Sequence, residues 1–266
     1  MPRVAHNPTE NEQRKQQALV SRVAHNPTEE EPGASLNPKL KTGNHQKMKK
    51  IAIAALLALP FLGQAQATDI GLWSGVGVEK KITKSLSVSV NTQFRFTDNV
   101  SILRAYLGEA GVSYKLNKRW EVSGYYRFIG RRKRNDDKTG YEYRPYHRFY
   151  ADIAYDRKIW KLKFDYRLRY QNQFMDDDSG LENDKSYVRN KFEVSYPNKS
   201  RFTPYVSTDF FYQLGGLGFD QMRNKGGIEF AINKRNKIDL SGFTDYRLQG
   251  SQENRFLIGV SYKLKL

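Results

Sequence analysis

Arginine carries most of the chemistry this sequence could do. Arg148, Arg167, Arg169, Arg223 and Arg247 recur, with Arg95, Arg127, Arg131 and Arg189, at even spacings inside runs of alternating polar and apolar residues. A guanidinium offers planar, paired N–H donors that match the oxygens of carboxylates and phosphates. Such a set predicts anion binding rather than bond-breaking chemistry. The chain has no cysteine, which removes disulfides, thiolate metal sites and thiol nucleophiles. Of its histidines His6, His25, His45 and His147, only His147 lies among the alternating runs. No serine stands at a telling spacing from His147, and its parity puts it beside Phe149 on the apolar face. The sequence therefore predicts no enzyme, no metal site and no cofactor.

The elements that must position these arginines are read from period-two alternation. In residues 160–171, Trp160, Leu162, Phe164, Tyr166, Leu168 and Tyr170 share one face. Lys161, Lys163, Asp165, Arg167, Arg169 and Gln171 share the other. Side chains alternate across a strand, so one face is apolar and one polar. The same pattern predicts strands over 70–82, 86–97, 102–116, 119–131, 143–156, 159–171, 187–196, 202–213, 221–233, 237–248 and 255–266.

Residues 48–67 read as a secretory signal peptide. Lys49 and Lys50 precede an apolar run over 51–62, and Ala65-Gln66-Ala67 supplies a small-x-small cleavage site. The apolar run is too short to span a bilayer. Residues 1–47 are polar and contain a duplication, Arg3 to Glu10 recurring as Arg22 to Glu29. They read as disordered sequence or as translation from a start codon ahead of Met48. The net charge is +17 for the whole chain. Residues 1–67 hold nine basic and five acidic side chains, so 68–266 carries +13.

The expected fold class is all-β, an antiparallel up-and-down transmembrane β-barrel of about ten to twelve strands occupying residues 68–266. Strands of this length suit a tilted membrane crossing. Connections alternate between short turns at Lys84-Ser85, Asn117-Lys118, Arg157-Lys158, 197–201 and Lys234-Arg235 and longer loops at 131–141, 172–186, 215–220 and 249–254. Aromatics gather near both strand ends, as membrane interfaces favour. Eleven runs are odd, whereas bacterial barrels have even strand numbers. Residues 70–82 then lie partly in the lumen, or pair with the last strand, or leave a strand uncounted.

On several of these segments the chain resembles DUF2490, a bacterial family of outer-membrane barrels with no assigned activity. The resemblance covers about 69–266. It rests on Trp73, Gly124-Tyr125-Tyr126-Arg127, His147-Arg148, Arg167-Leu168-Arg169-Tyr170-Gln171, and Pro204-Tyr205-Val206 leading to Asp209. It implies an outer-membrane location and carries no activity across. Leu266 departs from the aromatic residue usual at barrel C-termini.

The functional expectation is passage or binding of small anionic solutes through an arginine-rich lumen. The alternative is a plugged structural or surface-binding barrel without transport. Tight hairpins predict Glu109 opposite Arg127, Asp152 opposite Lys163, and Lys225 opposite Asp245. They also predict two unfavourable pairs, Arg148 opposite Arg167 and Arg223 opposite Arg247. These make an anion-attracting vestibule unless Asp209 and the acids at 176–178 neutralise it. Expected partners are outer-membrane lipid, lipopolysaccharide phosphates, the barrel-assembly machinery and small anions. Nucleic acid is not expected, because the cations follow strand parity instead of one exposed face.

Overall fold

In the computed structural model, which describes residues 69–178, 180–216, 218–247 and 255–266, each alternating run is a strand. They are β1 (Ile70–Lys81), β2 (Leu86–Thr97), β3 (Ile102–Lys115), β4 (Trp120–Arg134), β5 (Tyr141–Ile159) and β6 (Leu162–Asp177). There follow β7 (Gly180–Ser195), β8 (Phe202–Leu214), β9 (Gly218–Ala231), β10 (Asn236–Arg247) and β11 (Arg255–Lys265). The readings of 1–47 as an upstream segment and 48–67 as a signal peptide lie outside the described residues, as does the loop at 249–254.

The eleven strands close into one barrel in sequence order. Closure leaves no unpaired strand edge to recruit other chains. All neighbours run antiparallel except β1 and β11, which are parallel, with Trp73 beside Gly259 and Glu79 beside Lys265. Of the three placements open for 70–82, pairing with the last strand is the one observed. An odd number of strands that otherwise alternate in direction can close only through one parallel pair. The sheet is therefore mixed, and β1 starts at the end of the barrel where the longer loops lie.

Three short turns are copies of one device. Ile82, Leu116 and Ile232 each donate an N–H to the carbonyl four residues on, at 2.9, 3.0 and 3.0 Å. The next side chain caps the turn. Thr83 Oγ1 accepts the Leu86 N–H at 2.9 Å, Asn117 Oδ1 the Trp120 N–H at 3.0 Å, and Asn233 Oδ1 the Asn236 N–H at 2.8 Å. Such local side-chain caps are what Asn and Thr do in turns.

These caps decide register. The β3–β4 pairing is as expected, with Glu109 facing Arg127. The Asn233 cap moves β9–β10 pairing by two residues, so Arg223 faces Asp245, Lys225 faces Phe243 and Arg247 faces Gln221, correcting the expected oppositions of Arg223 with Arg247 and of Lys225 with Asp245. On β5–β6 the turn falls at Trp160-Lys161, beyond Arg157-Lys158, because the ladder continues to Ile159 and Leu162. Asp152 then faces Arg169 instead of Lys163, and Arg148 faces Gln173 instead of Arg167. The gain is a buried carboxylate aligned with a guanidinium. Trp160 lies in the turn and not in the strand expected over 159–171.

Most of the loop expected at 172–186 is strand as well, with β6 and β7 paired out to Asp177 and Gly180. Apolar alternation stops at Phe174 while the ladder continues, so periodicity could not mark the strand's end. Register shifts at Arg95/Phe96, Gln173/Phe174 and Phe211/Tyr212 all lie toward the long-loop end. Bulges are common at barrel rims, where they re-aim side chains.

Hydrophobic burial is inverted relative to a water-soluble domain. Among the described residues, 34 large hydrophobics are exposed and only ten hydrophobics are buried. Val90, Phe94, Val112, Phe149, Phe164, Phe192, Leu240 and Ile258 stand exposed on the outer face. Tyr114, Trp120 and Phe202 are exposed near the short turns, while Tyr106, Tyr170 and Tyr212 are exposed nearer the other end. The interior buries Asp152, Arg169, Arg189, Asp209 and Asp239 instead. A small apolar cluster of Ala105, Leu107, Ile129 and Tyr146 is packed inside β3–β5.

Candidate functional site

The inward residues enclose a cavity of about 910 Å³ reaching from Glu79 and Lys265 near the short turns to Arg131 and Arg255 near the longer loops. Its lining holds 17 Arg and Lys against seven Asp and Glu, and Asp69, Glu193, Asp220 and Asp239 also pair with lining cations, which leaves an excess of six positive charges. Arg148, Arg167, Arg169, Arg223 and Arg247 all line this one space. The structure separates them by what they hold.

Arg169 and Arg223 are committed to carboxylates. Arg169 Nε and Nη2 donate to the two oxygens of Asp152 at 2.6 and 2.7 Å. Arg223 Nε and Nη2 do the same to Asp245 at 2.5 and 2.7 Å. Arg247 Nη1 lies 3.3 Å from Asp220 Oδ1. Arg189 takes Asp209, and Arg127 Nε donates to Glu109 Oε2 at 2.5 Å. Arg167 lies between two carboxylates, with Nη2 3.6 Å from Asp209 and Nε 4.0 Å from Asp152. Its Nε is buried and finds no hydrogen-bond partner. Facing Ala154, Arg167 is nearer the short turns than Arg148 is, so the two do not share a vestibule rim.

Arg95, Arg131 and Arg148 line this space without a carboxylate partner among the described residues. Arg148 Nε donates to the neutral Gln173 Oε1 at 3.1 Å. Arg95 Nε donates to Gln93 Oε1 at 2.8 Å while its guanidinium lies 3.6 Å from the ring centre of Trp73. Arg131 rests 4.6 Å from the ring centre of Tyr146. Arg95 and Arg131 share one ladder row, with Ala105 between them. An alanine there contributes neither bulk nor charge. Sequence parity put Arg95 and Arg131 inside, but the opposed-pair argument left them out of the site. The small residue in register between them was the signal that could have found them.

Aromatic side chains stiffen this interior. Tyr150 stacks on Tyr125 at 4.8 Å between ring centres, donates to Glu109, and carries Arg169 3.7 Å from its ring centre. Gly111 gives Tyr125 its space, since a Cβ there would come within 2.0 Å of the ring. Asp209 neutralises Arg189 and part of Arg167, as one expectation had it. Asp176 instead lies 3.5 Å from His147 Nε2. His147 shares the outer parity of Phe149, its Nδ1 2.7 Å from the Tyr126 hydroxyl.

The β1–β11 seam is fastened at both ends. Asp69 accepts from the Thr97 hydroxyl at 2.7 Å and the Asn99 N–H at 3.1 Å, with Arg255 Nε 3.8 Å away. Burial pushes the Asp69 carboxyl up, but Thr97, Asn99 and Arg255 outweigh it and hold the group below its ordinary value. At the other end Lys265 Nζ lies 3.4 Å from Glu79, and the Leu266 N–H donates to the Glu79 carbonyl at 2.8 Å.

Chemically, the cavity can hold oxyanions by charge and by forked N–H donors. Among the described residues no three His, Asp or Glu side chains converge as metal ligands do. In comparisons with known proteins, the family model described as "Protein of unknown function (DUF2490)" matches residues 70–248, about two thirds of the chain. The chain belongs to that family. No curated protein matches it.

Proposed function

We propose that this DUF2490 barrel resides in the bacterial outer membrane and that its lumen binds and admits small anionic solutes. The observation that carries the reading is the excess of six positive charges that remains along one cavity spanning the barrel once every carboxylate paired with a lining cation is counted. Rings of Arg and Lys select anions in pores, and a low-dielectric wall strengthens their field. The apolar outer face supports a lipid environment, because water offers no partner to Val90, Phe94, Phe164 and Phe192. The leader-like segment at 48–67 supports export, with Thr68 as the first residue after cleavage. Short turns then face the periplasm, and Asp69, the residue before β1, lies at the outer mouth. Stacked tyrosines and ion pairs narrow the interior, which favours small solutes over large ones.

Paired cysteine variants test the membrane reading. Phe164 is 40% exposed on the outer face, whereas Ser123 lines the cavity. In intact membranes a water-soluble thiol reagent should label Ser123→Cys and spare Phe164→Cys. Equal labelling contradicts the reading. For passage, the purified barrel should give discrete conductance steps in planar bilayers, and silence contradicts it.

A further inference from the structure

Arg95, Arg131 and Arg148 occupy the long-loop half of the lumen, on β2, β4 and β5. Their charges are not isolated from one another. Arg95 lies in the field of Arg127, Arg223, Arg148 and Arg131, and Arg148 in that of Arg127, Arg189, Arg131 and Arg169. Arg127 and Arg148 face each other directly across the ladder, as do Arg169 and Arg189. Like charges opposed in a sheet are unfavourable. Asp152, Asp209, Asp245 and Glu109 answer this for Arg169, Arg189, Arg223 and Arg127. No carboxylate among the described residues answers it for the other three.

The geometry leaves these three ready for a ligand. Trp73 covers one face of Arg95 and Tyr146 one face of Arg131. A ring against the face fixes the guanidinium plane and leaves its N–H edges to donate. Arg95 uses only Nε on Gln93, and Arg148 spends its donors on the single oxygen Gln173 Oε1. Arg131 donates to no acceptor among the described residues.

We propose that Arg95, Arg131 and Arg148 form a discrete lumenal site for a phosphoryl group carrying at least two negative charges. A monovalent ion would offset one of these three cations, whereas a phosphoryl group offers several oxygens and multiple charges to neighbouring guanidinium forks. This deepens the anion-admitting reading above and rests on it for the route by which the ligand arrives. The phosphoryl group comes either from a free phosphate solute or from the headgroup of lipopolysaccharide at the outer mouth.

Trp73 reports on the site, since Trp120 and Trp160 are exposed. In a Trp120→Phe/Trp160→Phe background refolded in detergent, pyrophosphate should change Trp73 fluorescence saturably. Arg95→Gln, Arg131→Gln and Arg148→Gln should each weaken that binding by about tenfold or more, as loss of one charge-assisted fork does. Lys263→Gln, near the short turns, should leave it unchanged. Equal weakening by Lys263→Gln means diffuse attraction and overturns the site, as does the absence of saturable binding of both pyrophosphate and purified lipopolysaccharide. A response to pyrophosphate alone assigns the source to free solute, and a response to purified lipopolysaccharide alone assigns it to the headgroup. Anion-selective conductance with saturable binding of neither pyrophosphate nor lipopolysaccharide defeats the site and spares the proposed function. Saturable binding without conductance defeats passage and spares the site.

Discussion

Arg148 faces Arg127 across β4 and β5, and the two guanidiniums turn to opposite sides, Arg127 to Glu109 on β3 and Arg148 to Gln173 on β6. One of the facing cations is neutralised and the other is only solvated by an amide. Removing each kind of arginine should therefore act in opposite directions on stability. Arg148→Gln should leave the barrel as stable or more so, because it relieves repulsion and strands no carboxylate. Arg169→Gln leaves Asp152 buried without its bidentate partner and should cost about 3 kcal/mol. Urea unfolding of the two variants in detergent checks the contrast.

Trp160 occupies the β5–β6 turn with φ at +54° and is 94% exposed. A left-handed backbone is costly for a bulky side chain and readily adopted by Asn. In micelles, Trp160→Asn should stabilise the hairpin by about 0.5–1 kcal/mol. A loss of stability in the same assay would mean that the ring packs against detergent or protein more than the turn is strained.

The seam contact at Asp69 predicts a pH dependence. Its carboxyl is held below the ordinary value of 3.8, so the ionised form is the one the fold favours. That contribution is complete above the unfolded value and disappears as pH falls through the lower folded value. Acidification below 3.8 should loosen the start of β1, read as faster amide exchange at residues 70–73 than in the middle of the strand. Asp69→Asn should show the loosening already at neutral pH, with a stability change under about 1 kcal/mol, as for other partly solvated ion pairs. Exchange that stays slow in the variant contradicts the role of Asp69.

Much of the fold was legible because alternation is a local property. All eleven strands follow from it, and so does the inward parity of every arginine in the site. Register was less legible, since it depends on turn geometry. The Asn-Lys-Arg segments at 117–119 and 233–235 carry the same cap, and reading them alike would have placed Arg223 opposite Asp245. The Trp160-Lys161 turn has no comparable marker, and only the buried alignment of Asp152 with Arg169 explains it. At 172–186 the apolar pattern ends before the strands do, so length could not be read. Which arginines lack a carboxylate depends on side chains from neighbouring strands, which parity alone does not resolve.

The central claim is that uncompensated arginines make this lumen prefer anions. Reversal potential under a KCl gradient, measured on the wild-type barrel and on Arg95→Gln/Arg131→Gln/Arg148→Gln, tests it most directly. The account predicts a wild-type potential displaced toward the chloride equilibrium value and a triple variant displaced markedly back toward zero. A wild-type potential on the potassium side, or a triple variant with unchanged anion preference, would contradict it.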